Sequence, residues 1–312
     1  MRPEPTREAP EHPSRGNQRE PSVVNRRMNA SHLARGKRTA VTLSMVGMVL
    51  SQSGTVLAQS PEPSVNPDST KVVLRMSVGG GFVPMGVAML EMPTFTLYAD
   101  GSAIFRPSTG GTFDAPPAFV RAVLSDEQAA ALLAYAAGPG GLAAAAERYD
   151  DMFVSDAPTT VFTIDIPDLS KTVSVYALGF ENPAGDPNAE ILAQLDALAD
   201  TLSTFETQVE AGNVESAALY EPLSYLATLA PDYEGNAATP EVWPWDIAIP
   251  AFPADGSFPQ LVLTPEQVAQ VTTVPSGGVS DLYFVGPADE RVIVSIRPLL
   301  PDEPMPVDIA AS

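Results

Sequence analysis

The 312-residue chain has no cysteine and only two histidines, His12 and His32, and its 17 Lys/Arg are outnumbered by 38 Asp/Glu. The missing cysteine excludes a disulfide scaffold, a thiol nucleophile and any cysteine-based zinc site. Both histidines precede residue 59, so the rest of the chain has no Ser-His-Asp triad and no histidine-bearing zinc or iron site. The two lysines beyond that point, Lys71 and Lys171, have no serine three positions earlier, and no Gly-x-Ser-x-Gly elbow occurs. There is no Asp-x-Asp-x-Asp-Gly calcium loop, and Asp165-x-x-Asp168 reads as a turn, so neither metal nor cofactor is expected.

What is present can bury a core: 45% of the residues are apolar and 18% charged. The 32 prolines, about twice the ordinary share of ~5%, favour turns, strands and loops. Charge is unevenly placed. Residues 1–58 hold nine basic and four acidic residues, leaving 8 of the 17 basic and 34 of the 38 acidic residues to 59–312, a net of −26. Such a balance repels phosphate backbones and anionic lipid, which argues against nucleic-acid binding and membrane adsorption.

Residues 1–58 read as an export signal, a 27-residue extension followed by a signal peptide. Arg35, Lys37 and Arg38 are its basic region, Val41 to Leu50 its apolar region, and Val56-Leu57-Ala58 the approach to a cut before Gln59. The apolar run is about half of the ~20 residues a membrane anchor needs. Two readings of the extension stay open, a translation start at Met28 or a long basic region, and Arg26-Arg27 lies too far from the apolar run for twin-arginine export. The expected product is secreted or extracytoplasmic, with no membrane insertion after cleavage.

Residues 59–70 (QSPEPSVNPDST) form a Pro/Ser/acid tether. An N-terminal α+β domain is expected over 71–212 and a C-terminal α+β domain over 213–312. Val72 to Val78 reads as a strand closed by Gly79-Gly80-Gly81. Phe95 to Tyr98 and Ala103 to Phe105 flank the hairpin signal Asp100-Gly101. Ser125 to Gln128 is a capping box before an Ala/Leu-rich helix ending at Gly138. Thr160 to Ile164 and Lys171 to Tyr176 form a second hairpin. A long helix is expected between Asp186-Pro187 and Gly212-Asn213, with Ile191, Leu195, Leu198, Leu202, Phe205 and Val209 in an a/d seam. That seam suits either a dimer helix or a helix laid across a sheet; the acidic flanks Asp196, Asp200, Glu206 and Glu210 would repel in a dimer, so a monomer is expected.

The C-terminal part has a strand near Leu223 to Leu229 and then a repeated pattern. Val262 to Ala269 matches Val123 to Ala130 in five of eight positions, and Val154-Ser155-Asp156 and Val279-Ser280-Asp281 each precede a strand pair. A twofold helix-plus-hairpin repeat and chance similarity both account for this. The expected fold is therefore α+β, antiparallel hairpins with packed helices.

Carboxylates and aromatics are the chemistry left. Glu147, Asp150 and Asp151 cluster before a strand, and Glu241 and Asp246 flank Trp243 and Trp245, whose rings can stack on a sugar. The alternative is solvated acids and core tryptophans. Gly79–Gly81 lack a following Gly-Lys-Ser/Thr, and Pro84 is expected to block the helix of a phosphate loop, so the glycines read as a bend. Gly80, Gly81, Phe82, Trp243, Trp245 and Asp246 are the candidate partner or glycan surface.

Val78 to Phe82, Phe95 to Gly101, Ala157 to Thr163, Val173 to Gly179 and Arg297 to Glu303 resemble a group of uncharacterised bacterial exported proteins, often lipid-anchored; this chain lacks their lipobox cysteine. The resemblance implies export and brings no catalytic residue. Residues 72–205, with a strand ending in Gly-Gly-Phe, a helix opening Leu-Ser-x-Glu-Gln, a Val/Phe-rich hairpin and a Leu-spaced helix, are similar to emfourin-type inhibitors of secreted metalloproteases. The expected function is a secreted, acidic, non-enzymatic binding protein for a protein or cell-envelope component. The alternatives are inhibition of a secreted metalloprotease and a carboxylate-only glycan hydrolase.

Overall fold

The computed structural model describes residues 70–108, 117–150, 154–180, 185–232, 239–271 and 277–303. The chain divides into two units, 1–60 and 61–312, and all described residues belong to the second. The expected export signal of residues 1–58 and the expected tether up to residue 69 lie outside them.

The first sheet grows from β1 (Val72–Gly79), whose alternation buries Leu74 and Met76 on one face. After α1 (Met85–Ala88) come β2 (Phe95–Tyr98) and β3 (Ser102–Phe105), joined at Asp100-Gly101. Gly101 has φ +79°, and a Cβ there would lie 2.7 Å from the Leu124 carbonyl oxygen, so glycine is required on both counts. Then follow β4 (Val120–Val123), α2 (Asp126–Ala137), β5 (Arg148–Tyr149), β6 (Thr159–Ile166), β7 (Leu169–Tyr176), α3 (Ala189–Ser203), α4 (Glu206–Glu210) and β8 (Ser216–Leu219). The strand order is β5-β7-β6-β1-β2-β3-β4-β8, antiparallel except for the β5–β7 pair. The helices cover one face: Leu195, Leu198, Leu202 and Phe205 join Leu74, Phe95, Phe105 and Phe162 in one core. The a/d seam is thus occupied within the chain, by a sheet.

The second sheet comprises β9 (Tyr225–Pro231), β10 (Glu241–Val242), β11 (Gln260–Leu263), β12 (Val279–Val285) and β13 (Arg291–Pro298), with α5 (Pro265–Val268) between β11 and β12. Its order is β10-β12-β13-β9-β11, with β10 and β12 parallel. The segment after β13 returns to the other face of the first sheet. Asp302 accepts from Arg75 Nη2 at 2.7 and 2.8 Å and from the Tyr98 hydroxyl at 2.7 Å, while the Tyr220 hydroxyl donates to the Leu299 carbonyl at 2.7 Å. Arg297 grips Glu303 bidentately. Leu300 joins Tyr98, Ile104, Phe119 and Tyr220 in a small core there.

The expected α+β fold is corrected: the described residues are mostly β, two mixed sheets of eight and five strands with five short helices. Two of the expected helices are curtailed. The long one ends at Ser203 and resumes as a single turn, because Thr201 and Thr204 turn their hydroxyls back onto the carbonyls of Ala197 and Asp200, and Phe205 wedges edge-on between Phe95 and Phe105 at 5.0 and 5.2 Å. The helix opened by Thr264 is four residues long, where the one opened by Ser125 runs for twelve through an alanine/leucine run. The twofold repeat is corrected with it. Both capping boxes form, and Asp156 and Asp281 share left-handed φ of 59° and 58°. Yet one hairpin joins its sheet through its first strand, β6 on β1, and the other through its second, β13 on β9. The likeness is local, set by turn and cap chemistry.

Candidate functional site

β1 ends at Gly79, and Gly80 and Gly81 follow with φ of +76° and +77°, a left-handed pair that swings the chain off the sheet. The Gly80 N–H donates to Glu91 Oε1 at 2.8 Å, and Glu91 packs so close to Gly79 that a Cβ there would meet Oε2 at 2.7 Å. The turn is pinned, and it carries Phe82 out into solvent. Phe82 is 92% exposed, with Val78 and Met85 at 40% and 47% beside it in sequence.

Pro84, expected to block a helix, instead occupies the N-cap position of α1, because its fixed φ of −56° leads into helix without strain. That single turn meets the second sheet. Ser295 Oγ donates to the Gly86 carbonyl at 3.2 Å, and Gly86 is buried against the Asp281 side chain. The Gly80–Met85 loop is therefore braced by both sheets.

Behind the loop lies a cavity of about 350 Å³, lined by Gly79 and Gly80, by apolar side chains including Val83, Val87, Leu90 and Met92, and by Glu91 and Arg106. Arg106 follows β3. Its guanidinium stacks 4.7 Å from the Phe119 ring centroid, and burial lowers its pKa to about 10.

The tryptophans are elsewhere. The sugar-stacking expectation for Trp243 and Trp245 is corrected, because they are 8% and 4% exposed and fill the core of the second sheet. Their rings meet edge-on at 4.7 Å, and Trp243 also meets Phe284 edge-on at 5.9 Å. Their indole N–H groups donate to the Ile247 and Gln267 carbonyls at 2.7 and 2.8 Å. Asp246 beside them is exposed. Glu241 lies on the two-residue strand β10, Asp150 pairs with its neighbour Arg148, and Asp151 lies outside the described residues.

A second cavity, about 270 Å³, opens between the end of β7 and α3, and Tyr149, Tyr176, Asp186 and Asp196 are among its lining residues. Burial raises the Asp196 carboxyl above the usual carboxylate range, and Asp200 one turn away adds to the rise. Asp186 Oδ1 accepts from the Asn188 N–H at 2.8 Å. The sequence marks these two acids only as a helix flank and a helix opening. Their common cavity is made by strands and a helix that sequence spacing does not relate.

Among the described residues no group of three or more His, Asp or Glu is placed to hold a metal ion, and no helix is long and apolar enough to cross a membrane. No family model matches the chain, and neither a curated protein nor a solved structure does.

Proposed function

We propose that this is an exported, acidic, non-enzymatic binding protein that engages a protein partner through the Gly80–Met85 loop. The observation that carries the reading is Phe82, a large apolar side chain held in water on a turn fixed by two left-handed glycines and by Glu91. An apolar side chain held out by a braced loop, with Val78 and Met85 beside it, suits the centre of an interface more than a monomer surface. With a net charge of −26 around it beyond residue 58, the matching partner face has an apolar centre and a basic rim. Metalloprotease inhibition is one case of this reading, in which the loop enters the protease.

The test compares pull-downs from culture medium and envelope with the secreted protein and its Phe82→Ser variant as baits. The variant should fold as before, being solvent-exposed, and should lose a protein that the parent captures. Equal capture by both baits overturns the reading, as does capture of envelope glycan alone. If the parent leaves extracellular metalloprotease activity unchanged at micromolar concentration, the inhibitor case falls. Export is tested by mass spectrometry of the secreted form, which should begin at Gln59.

One observation supports a second reading, a carboxylate-only glycan hydrolase: the cavity shared by Asp186 and Asp196, one of which is biased toward its protonated form. Glycan-cleaving activity abolished by Asp196→Asn would support it, and its absence on envelope glycans removes it.

A further inference from the structure

Eight basic residues face 34 acidic ones beyond residue 58, so every cation in that part of the chain has carboxylates to spare. Five take one: Lys71, Arg75, Arg121, Arg148 and Arg297 each form an ion pair. Lys171 donates to the Ala143 and Ala145 carbonyls, and Arg291 is exposed. Arg106 differs from all of these. Among the described residues it has no carboxylate partner, its Nε is buried with no hydrogen bond, and its Nη2 reaches only the Gly277 carbonyl, at 3.4 Å. A guanidinium partly withdrawn from water without a counter-charge is costly, and besides that long carbonyl contact the fold gives it the Phe119 ring.

Glu91 is the other charged side chain lining the same cavity. Its carboxylate is held by the Gly80 N–H and meets no cation among the described residues. The two opposite charges therefore line one space without pairing with each other. Val83, Val87, Leu90 and Met92 line it too, and about 350 Å³ falls at the small end of ligand pockets. A simple anion would satisfy Arg106 but must enter against a strongly negative protein and past Glu91. A simple cation would satisfy Glu91 and leave Arg106 as it was. A molecule bearing both charges answers both.

We propose that this cavity binds a small apolar zwitterion of amino-acid or dipeptide size, with its carboxylate on Arg106, its ammonium on Glu91 and its side chain on the Val/Leu/Met wall. The inference goes beyond the partner reading and does not depend on it, since the ligand sits behind the loop and not on Phe82.

The test is calorimetric titration of the full chain with four probes: leucine, leucyl-leucine, leucinamide, which lacks the carboxylate, and N-acetyl-leucine, which lacks the ammonium. Leucine or its dipeptide should give saturable heat, and removal of either charge should weaken binding by about tenfold or more, as expected for loss of a charge-assisted hydrogen bond. Arg106→Gln should abolish binding. Because that residue is partly buried, the exposed Glu91→Gln is the deciding variant: it should weaken the zwitterions and should not weaken N-acetyl-leucine, from which it removes a repulsive charge. No saturable heat with any probe, leucinamide binding as tightly as leucine, or Glu91→Gln leaving the order of probes unchanged would each overturn the proposal. Phe82→Ser should leave all four titrations as they are, which separates this site from the partner surface.

Discussion

Asp302 ties the segment after β13 to the first sheet. It accepts from Arg75 and from Tyr98, and the Arg75 and Asp302 side chains are only 23% and 15% exposed. Asp302→Ala leaves a guanidinium and a hydroxyl without their acceptor, and the expected loss is about 3 kcal/mol, the low end of the range for breaking a buried pair. Asp302→Asn, which keeps an acceptor for Tyr98, should lose less; urea unfolding of the two variants checks both. The same network sets an alkaline limit. Burial, then the Asp302 carboxylate, pushes the Tyr98 hydroxyl far above the usual tyrosine range, and burial with Glu303 does the same to Tyr220. In the unfolded chain both ionise near ~10, so above that pH the unfolded state sheds protons that the folded state keeps. Their contribution is complete below about pH 10 and then falls by up to about 1.4 kcal/mol per pH unit for each tyrosine. Arg106 acts in the opposite sense, since its pKa of about 10 lies below that of an unfolded arginine, but it is one group against two. Urea midpoints should therefore drop above about pH 10, and Tyr98→Phe and Tyr220→Phe should each flatten the drop; a flat wild-type profile would contradict this assignment.

Helices α2 and α3 show how far local chemistry reaches. The Ser125 box forms as its spacing predicts, with Ser125 Oγ accepting from the Gln128 N–H and Gln128 reaching back to the Ser125 N–H. Ser125→Ala should cost about 1 kcal/mol, read as a shift in urea midpoint. α3 carries its own electrostatic liability, Asp196 and Asp200 one turn apart with Asp196 partly buried. A carboxyl whose pKa is raised on folding destabilises the fold where it is ionised and not where it is protonated. Asp196→Asn should thus stabilise by about 0.5 kcal/mol at neutral pH, and the gain should vanish below the normal carboxylate range near ~4. The a/d seam of this helix was legible, and its shortness and acidic flanks already favoured a sheet over a second helix as its cover, which is what the core shows. The seam did not foretell the break after Ser203, which depends on Phe205 finding a slot between two phenylalanines of β2 and β3. α5 repeats the cap of α2 without its length, because a cap starts a helix and the residues after it decide how long the helix runs.

Five of the eight basic residues after residue 58 are used in ion pairs, and the remaining acidic excess repels itself across the folded surface. Raising ionic strength from about 0.01 M to 0.15 M shortens the screening length from ~30 to ~8 Å, so Tm should rise over that interval. A Tm that falls with added salt would show that attractive pairs dominate instead. The chain's acidity and the lack of cysteine and histidine beyond residue 58 are readable from order and composition, which are also all that the proposed export rests on. So are the Asp100-Gly101 turn, both capping boxes and the glycine bend before Phe82, since each depends on residues within a few positions of one another. The rest came from distant segments meeting. Arg75 and Asp302 are 227 positions apart, and Tyr98 and Asp302 are 204 apart. β8 closes the first sheet on β4 from nearly a hundred residues downstream. Trp243 and Trp245 became core instead of surface because Phe284 and β13 were brought against them. Glu91 and Arg106 share a cavity only because a loop, a strand end and a helical turn enclose it. Short-range hydrogen bonds and backbone preferences leave a signature in neighbouring residues, whereas burial and unpaired charge are properties of a residue's surroundings, which exist only once the chain has folded.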